Sequence, residues 1–170
     1  QNWDISQAGA GREVTAEELA KMMLALQDGG CHNINFVTPT HVAAQILEAL
    51  VLARQGGLTV PLVYNSGGYD SVDTLRLLDG IFDIYMPDAK FGQNGPAEKY
   101  SQAPDYVAVM KAALLEMHRQ VGDLALDEDG LAVRGLLVRH LVLPSRLAGT
   151  EEVVRFISEE ISKDTYLSVM

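Results

Sequence analysis

Apolar residues along this chain switch repeatedly between helical spacing and short alternating runs. Leu19, Met22, Met23 and Leu26 recur three and four residues apart. They follow Thr15-Ala16-Glu17-Glu18, which matches a capping box, and precede Gly29-Gly30, which ends the helix. Asn33-Ile34-Asn35-Phe36-Val37 then alternates and stops at Thr38-Pro39, where proline removes a ladder donor, and so reads as a strand. A second helix is predicted over 40–54, with Val42, Ile46, Ala49 and Leu50 on one face and Gly56-Gly57 at its end. The same grammar gives a strand at 62–64 ending in Asn65-Ser66-Gly67-Gly68, a helix at 71–78 with Leu75 and Leu78 inward, and a strand at 81–86. Residues 87–104, rich in turn formers, predict a long loop with a helical turn at 96–100. The longest helix is expected over 105–121, burying Met110, Leu114, Met117 and Val121. A small hairpin turns at Asp127-Glu128-Asp129-Gly130 between 124–126 and 131–133. An almost wholly apolar strand at 136–143, a helix at 150–161 and a strand at 165–170 complete the series.

Strands alternating with helices argue for right-handed βαβ units and a parallel sheet, hence an α/β fold. The whole chain, 1–170, reads as a single core domain with five core strands. It opens at Gln1 and closes at Met170 inside an apolar run, so both ends read as cut, with a further strand expected ahead of Gln1. That count favours a partial open (β/α) barrel, truncated at both ends; a flat doubly wound sheet is the alternative.

Composition narrows the function classes. The 170 residues carry 13 Lys and Arg against 23 Asp and Glu, a formal charge of -10 with no basic cluster, which argues against nucleic acid as a partner. No apolar run approaches the roughly 18 to 20 residues that span a bilayer, and no signal peptide is evident, so no membrane association and a cytoplasmic location are expected. The one cysteine, Cys31, excludes an intrachain disulfide and a self-contained iron–sulfur or Cys-type zinc site. It is expected to be a partly buried thiol without chemistry, and His32 and His118 to be surface or packing residues.

In parallel α/β folds, ligands bind at the carboxyl ends of the strands. The residues placed there are Thr38, Thr40 and His41 after the first strand, Asn65, Ser66 and Gly67 after the second, Asp88 and Lys90 after the third, and Arg139 and His140 in the fourth. Each also has a plainer reading. Thr40 would serve as a helix N-cap, residues 65–68 as a turn that needs positive φ, and Asp88 and Lys90 as a solvated pair. Arg139 and His140 point to opposite faces of one strand, so at least one faces the interior. A buried guanidinium there must be paired, either with Asp83 or with the carboxylate of a ligand.

The opening Gln1-Asn2-Trp3-Asp4-Ile5-Ser6-Gln7, followed by Gly9, Gly11 and Arg12-Glu13-Val14, resembles the segment directly after the CxxxCxxC motif of radical S-adenosylmethionine (radical SAM) proteins related to pyruvate formate-lyase activating enzyme. The stretches CHNINFVTPTH (31–41), PLVYNSGGYDS (61–71), DIYMPDAK (83–90), YSQAPDY (100–106) and LLVRHLVLP (136–144) resemble an activating-enzyme-like branch of the same family. The resemblance implies a complete protein in which three thiolates hold a 4Fe-4S cluster and S-adenosylmethionine chelates its open iron. Reductive cleavage would give a 5′-deoxyadenosyl radical for hydrogen abstraction. It also implies that Asp88 lies near a monovalent cation, Lys90 near the SAM carboxylate, Asn65 near the cation and nucleotide, and Arg139 in the family's next core strand. The implied partners are a glycyl-radical-type protein substrate and an electron donor.

Two departures stand out. The family's Gly-Gly-Glu, which receives the SAM amino group, is replaced by Thr38-Pro39-Thr40, and the chain carries no cluster cysteine, so this piece alone is expected to be inactive. The alternative functions are a non-catalytic acidic α/β module that binds a small anionic ligand at the same strand ends, and an ordinary barrel enzyme using Asp88 and His41 as acid and base.

Overall fold

Local sequence sets the first helix directly. Helix α1 (Ala16–Asp28) starts at Thr15, whose hydroxyl accepts from the Glu18 N–H at 3.2 Å while the Glu18 carboxylate accepts from the Thr15 N–H at 3.0 Å. This reciprocal capping satisfies two otherwise unpaired donors. The computed structural model describes Trp3 and residues 8–170, so most of the opening segment that carries part of the family resemblance lies outside the described residues.

Six strands follow: β1 (Ile34–Val37), β2 (Leu62–Ser66), β3 (Ile84–Pro87), β4 (Ala125–Leu126), β5 (Ala132–His140) and β6 (Tyr166–Val169). The sheet runs β1-β2-β3-β5, with β6 on the far side of β5, and these five strands are parallel and lie in chain order. Only the short β4 runs antiparallel, pairing with the start of β5. The fold is therefore α/β with a mostly parallel, mixed sheet. Among the described residues no helix is long and apolar enough to cross a membrane.

The helices α2 (Ala43–Gln55), α3 (Val72–Leu77), α4 (Asn94–Ser101), α5 (Tyr106–Val121) and α6 (Thr150–Phe156) join α1 in one core. On the sheet, that core takes Leu62, Tyr64, Tyr85, Leu136 and Val138. Because side chains alternate along a strand, the intervening residues Val63, Asn65, Ile84, Met86, Leu137 and Arg139 point to the opposite face.

A polar brace ties three elements beneath this core. The Tyr85 hydroxyl donates to Gln120 Oε1 at 2.6 Å, and Gln120 Nε2 donates to the Leu75 carbonyl and to Glu116, both at 2.8 Å. Arg119 bonds Glu116 at 2.8 and 2.9 Å and reaches Asp79 at 2.6 Å. The Arg119 guanidinium holds the Glu116 carboxyl down at about 2, helped by Gln120 and opposed by burial.

Several boundaries differ from the sequence reading. The helix expected over 40–54 begins as a 3₁₀ turn, Pro39–Val42, after Thr38 enters the left-handed region at φ 54°. Thr40 therefore caps nothing. The expected loop 87–104 contains the eight-residue α4. The second arm of the hairpin is not a separate insertion but the start of β5, which ends at His140 instead of 143. At Gly135 φ is 119° and a Cβ would overlap the Asp123 carbonyl oxygen, so only glycine passes this crossing. The helix after 156 widens into a π turn, Ile157–Ile161. Cys31 is exposed, not partly buried, because it follows the Gly29-Gly30 turn outside the core.

Candidate functional site

Parallel pairing carries β3 past its last regular residue. The Asp88 N–H donates to the Ser66 carbonyl at 3.0 Å and the Ala89 N–H to the Arg139 carbonyl at 2.8 Å, which wedges Asp88 between β2 and β5. Alternation then puts Asp88, Asn65 and Arg139 on the face away from the helices. Arg139 Nε and Nη2 lie 2.8 and 2.6 Å from Asp88 Oδ1, and Nη2 also donates to Asn65 Oδ1 at 3.0 Å. The other carboxylate oxygen of Asp88 faces Lys90 Nζ at 3.7 Å.

This geometry settles the partner of Arg139. It is Asp88, not Asp83, whose carboxylate lies at the other end of the sheet and accepts from the Leu62 N–H at 2.9 Å. One carboxylate thus sits between two cations, and the cluster carries a net charge of +1 on a chain of -10. Arg139 and Asp88 are only 28% and 22% exposed and bind each other closely, whereas Lys90 is 48% exposed and held loosely. Lys90 is the cation free to meet an incoming carboxylate or phosphate.

The lip is braced from the helical side. The Tyr106 hydroxyl accepts from the Lys90 N–H at 2.8 Å and lies 3.0 and 3.2 Å from the Asp88 and Gly67 carbonyls, to which it donates. Burial raises the Tyr106 pKa, so the phenol stays protonated and keeps donating. Gly68, at φ 74°, lets the β2 loop press against β3, since a Cβ there would overlap the Asp88 carbonyl oxygen. Gly67 lies beneath the Lys90 ammonium.

The other candidate residues go elsewhere. His140 is fully buried under α6, with Nδ1 donating to the Ala89 carbonyl at 2.6 Å and Nε2 pairing with the Thr150 hydroxyl at 2.9 Å. Both ring nitrogens are occupied, so it acts as a clamp between β5 and α6 and does not line the lip. Ser66 points to the helical face, where its hydroxyl donates to Asp70 at 2.6 Å. Thr40 also donates to Asp70, at 2.8 Å. Thr38 and His41 are exposed on the loop after β1, and the Thr38 N–H donates to the Asn65 carbonyl at 2.7 Å.

Sequence reasoning missed Tyr106 and Asp70. Tyr106 closes the YSQAPDY stretch, yet nothing local indicates that its hydroxyl reaches back 16 residues to Lys90. Asp70 lies four residues after Ser66 in a glycine-rich turn, where an acid reads as solvated; it is instead only 2% exposed.

Two clefts, one between α5 and α6 and one beside the β5–α6 connection, lie away from the lip and contain none of Asn65, Asp88, Lys90 or Arg139.

No family model matches the chain, and no solved structure does. It is 32% identical to the uncharacterised protein MJ0674 of Methanocaldococcus jannaschii over 171 residues, covering 95% of this chain and 45% of that relative. The chain thus spans under half the length of the curated relative it matches, and it is similar to that part of it along nearly its whole extent.

Proposed function

We propose that the chain is part of the catalytic core of a radical SAM protein related to pyruvate formate-lyase activating enzyme, in which the lip after β2, β3 and β5 grips S-adenosylmethionine. The observation that carries this reading is the convergence of Asn65, Asp88, Lys90 and Arg139 at three adjacent strand ends, on the face turned away from the described helices. Two features support a partial open (β/α) barrel behind it. The parallel strands follow chain order with the described helices in one core, and Val63 and Ile84 are only 4% and 3% exposed although they point away from those helices. A sheet curled around them would bury them in this way.

The donor set suits the nucleotide. Lys90 matches its carboxylate, Asp88 its amino group, and the overall charge of -10 attracts the sulfonium cation. Bound beside a reduced iron–sulfur cluster, SAM supplies the chemistry of hydrogen abstraction, for which a glycyl-radical-type protein and an electron donor are the partners that follow. The residues of this chain do not fit the 4Fe-4S cluster itself: Cys31 lies ahead of β1, at the opposite end of the strand from the lip. The role of this chain is to bind the nucleotide, with Arg139 fixing the Asp88 carboxylate and Tyr106 the backbone beneath Lys90.

The position of Cys31 also favours a second reading, an acidic α/β module that binds a small anionic ligand at the same lip without chemistry. Titration calorimetry of SAM into the protein, followed by anaerobic cluster reconstitution of the longer protein, separates the two. Saturable binding that weakens about tenfold in Lys90→Ala, with reductive SAM cleavage by the reconstituted protein, supports the first. Binding without cleavage leaves the module, and no binding of SAM by either form removes the proposal.

A further inference from the structure

Beneath the lip sits a buried carboxylate that the nucleotide-binding reading does not use. Asp70 is 2% exposed and has no cation within bonding distance among the described residues; three hydroxyls surround it instead. Thr40 and Tyr64 donate to Oδ1 at 2.8 and 3.1 Å, and Ser66 donates to Oδ2 at 2.6 Å while accepting from the Gly68 N–H at 3.2 Å. These donors come from two connections. Thr40 belongs to the 3₁₀ turn after β1, and Ser66 and Gly68 to the end of β2 and its loop.

The turn after β1 needs such an anchor. Thr38 is held at φ 54°, a conformation that an ordinary side chain resists, and neither the 3₁₀ turn nor α2 has a side-chain cap. The turn is tied to β2 and its loop by the Thr38 N–H to Asn65 carbonyl bond and by the Thr40 hydroxyl, which meets Asp70 and Tyr64. An uncharged amide at position 70 would fill the same space and avoid burying an unpaired charge, so packing alone does not call for aspartate.

We infer that Asp70 is a positioning residue: its carboxylate locks the turn 38–42 onto the β2 loop, presetting the Thr38 N–H against the Asn65 carbonyl at the edge of the lip. It accepts from all three hydroxyls at once, whereas an asparagine has one acceptor oxygen, so its NH2 must face a hydroxyl that then turns from donor to acceptor, and the charge-assisted bonds are lost. What the preset lip binds rests on the proposed SAM reading; the lock itself does not.

The test is hydrogen–deuterium exchange of the full 170-residue chain as wild type, Asp70→Asn, Thr40→Val and Thr40→Ser, with thermal unfolding alongside. Exchange in peptides covering 38–43 should rise tenfold or more in Asp70→Asn and Thr40→Val, while β3 and α5 stay protected and the Tm holds within a few degrees. Thr40→Ser, which keeps the hydroxyl, should restore wild-type exchange. Unchanged exchange over 38–43 in both Asp70→Asn and Thr40→Val overturns the inference, as does loosening spread evenly through the sheet. If Asp70→Asn does not fold, Thr40→Val decides alone. SAM binding measured on the same proteins separates the two ideas: a wild type that does not bind SAM removes the proposed function, while the exchange result still decides the lock.

Discussion

The ion pair between Asp88 and Arg139 is the most direct handle on the lip, and a double-mutant cycle measures it. Asp88→Asn removes the charge that accepts two guanidinium N–H groups at 2.6 and 2.8 Å, and leaves Arg139 with neutral amide acceptors only. Hydrogen bonds to a charged group contribute about 1.5–3 kcal/mol in protected surroundings. Here both side chains keep roughly a quarter of their surface in water. Solvent screening lowers the expected coupling to about 1–2 kcal/mol. Arg139→Met alone should cost less than Asp88→Asn, because Asp88 retains Lys90 at 3.7 Å whereas Arg139 has no second carboxylate partner among the described residues. Urea unfolding of the wild type, the two single variants and the double variant, at low and high salt, gives the coupling free energy. A coupling under about 0.3 kcal/mol would show that the two side chains do not stabilise each other, and a larger coupling that is equal at both salt concentrations would undo the electrostatic account of the lip.

Three further outcomes follow from the geometry. Glu116 is held at about 2 by Arg119, below its unfolded value, so the folded form gains stability above about pH 4.5 and loses it as the pH falls toward 2. Because Arg119 is half exposed, the loss should be about 1–2 kcal/mol, and Glu116→Gln should flatten the acid limb of a stability–pH curve; an unchanged limb refutes the brace. Gly68→Ala forces a side chain into the left-handed region and against the Asp88 carbonyl, and should lower stability by roughly 2–4 kcal/mol in denaturant unfolding. A loss within 0.5 kcal/mol would mean that the β2 loop does not press on β3. Tyr106→Phe leaves the Lys90 N–H and two carbonyls without their hydroxyl partner, at a cost of about 1–3 kcal/mol in denaturant unfolding, and on the proposed reading should weaken SAM binding at the lip.

Much of the architecture is legible along the chain because it is decided within a few residues. The capping box at Thr15 and Glu18, the apolar stripe of α5 and the glycine turns after α1 and α2 each depend on contacts inside one turn of backbone, and the elements form where those signals place them. The alternation of strands and helices likewise announces a parallel α/β sheet. The collection of Asn65, Asp88, Lys90 and Arg139 at the carboxyl ends of the strands follows from that topology alone.

Tertiary structure decided which of the collected residues face away from the helices. Asn65 and Ser66 are adjacent in sequence, as are Arg139 and His140, yet strand parity sends one of each pair to the open face and the other under the helices. The register of β3 against β5 chose Asp88 over Asp83 as the arginine's partner, 51 residues away. Thr40 and Asp70 met only once the β1 and β2 loops were laid side by side. A local pattern establishes helix or strand because backbone torsions and side-chain spacing act over one turn. Register, facing and long-range pairing are fixed by the whole sheet closing at once, so no segment of the chain carries them on its own.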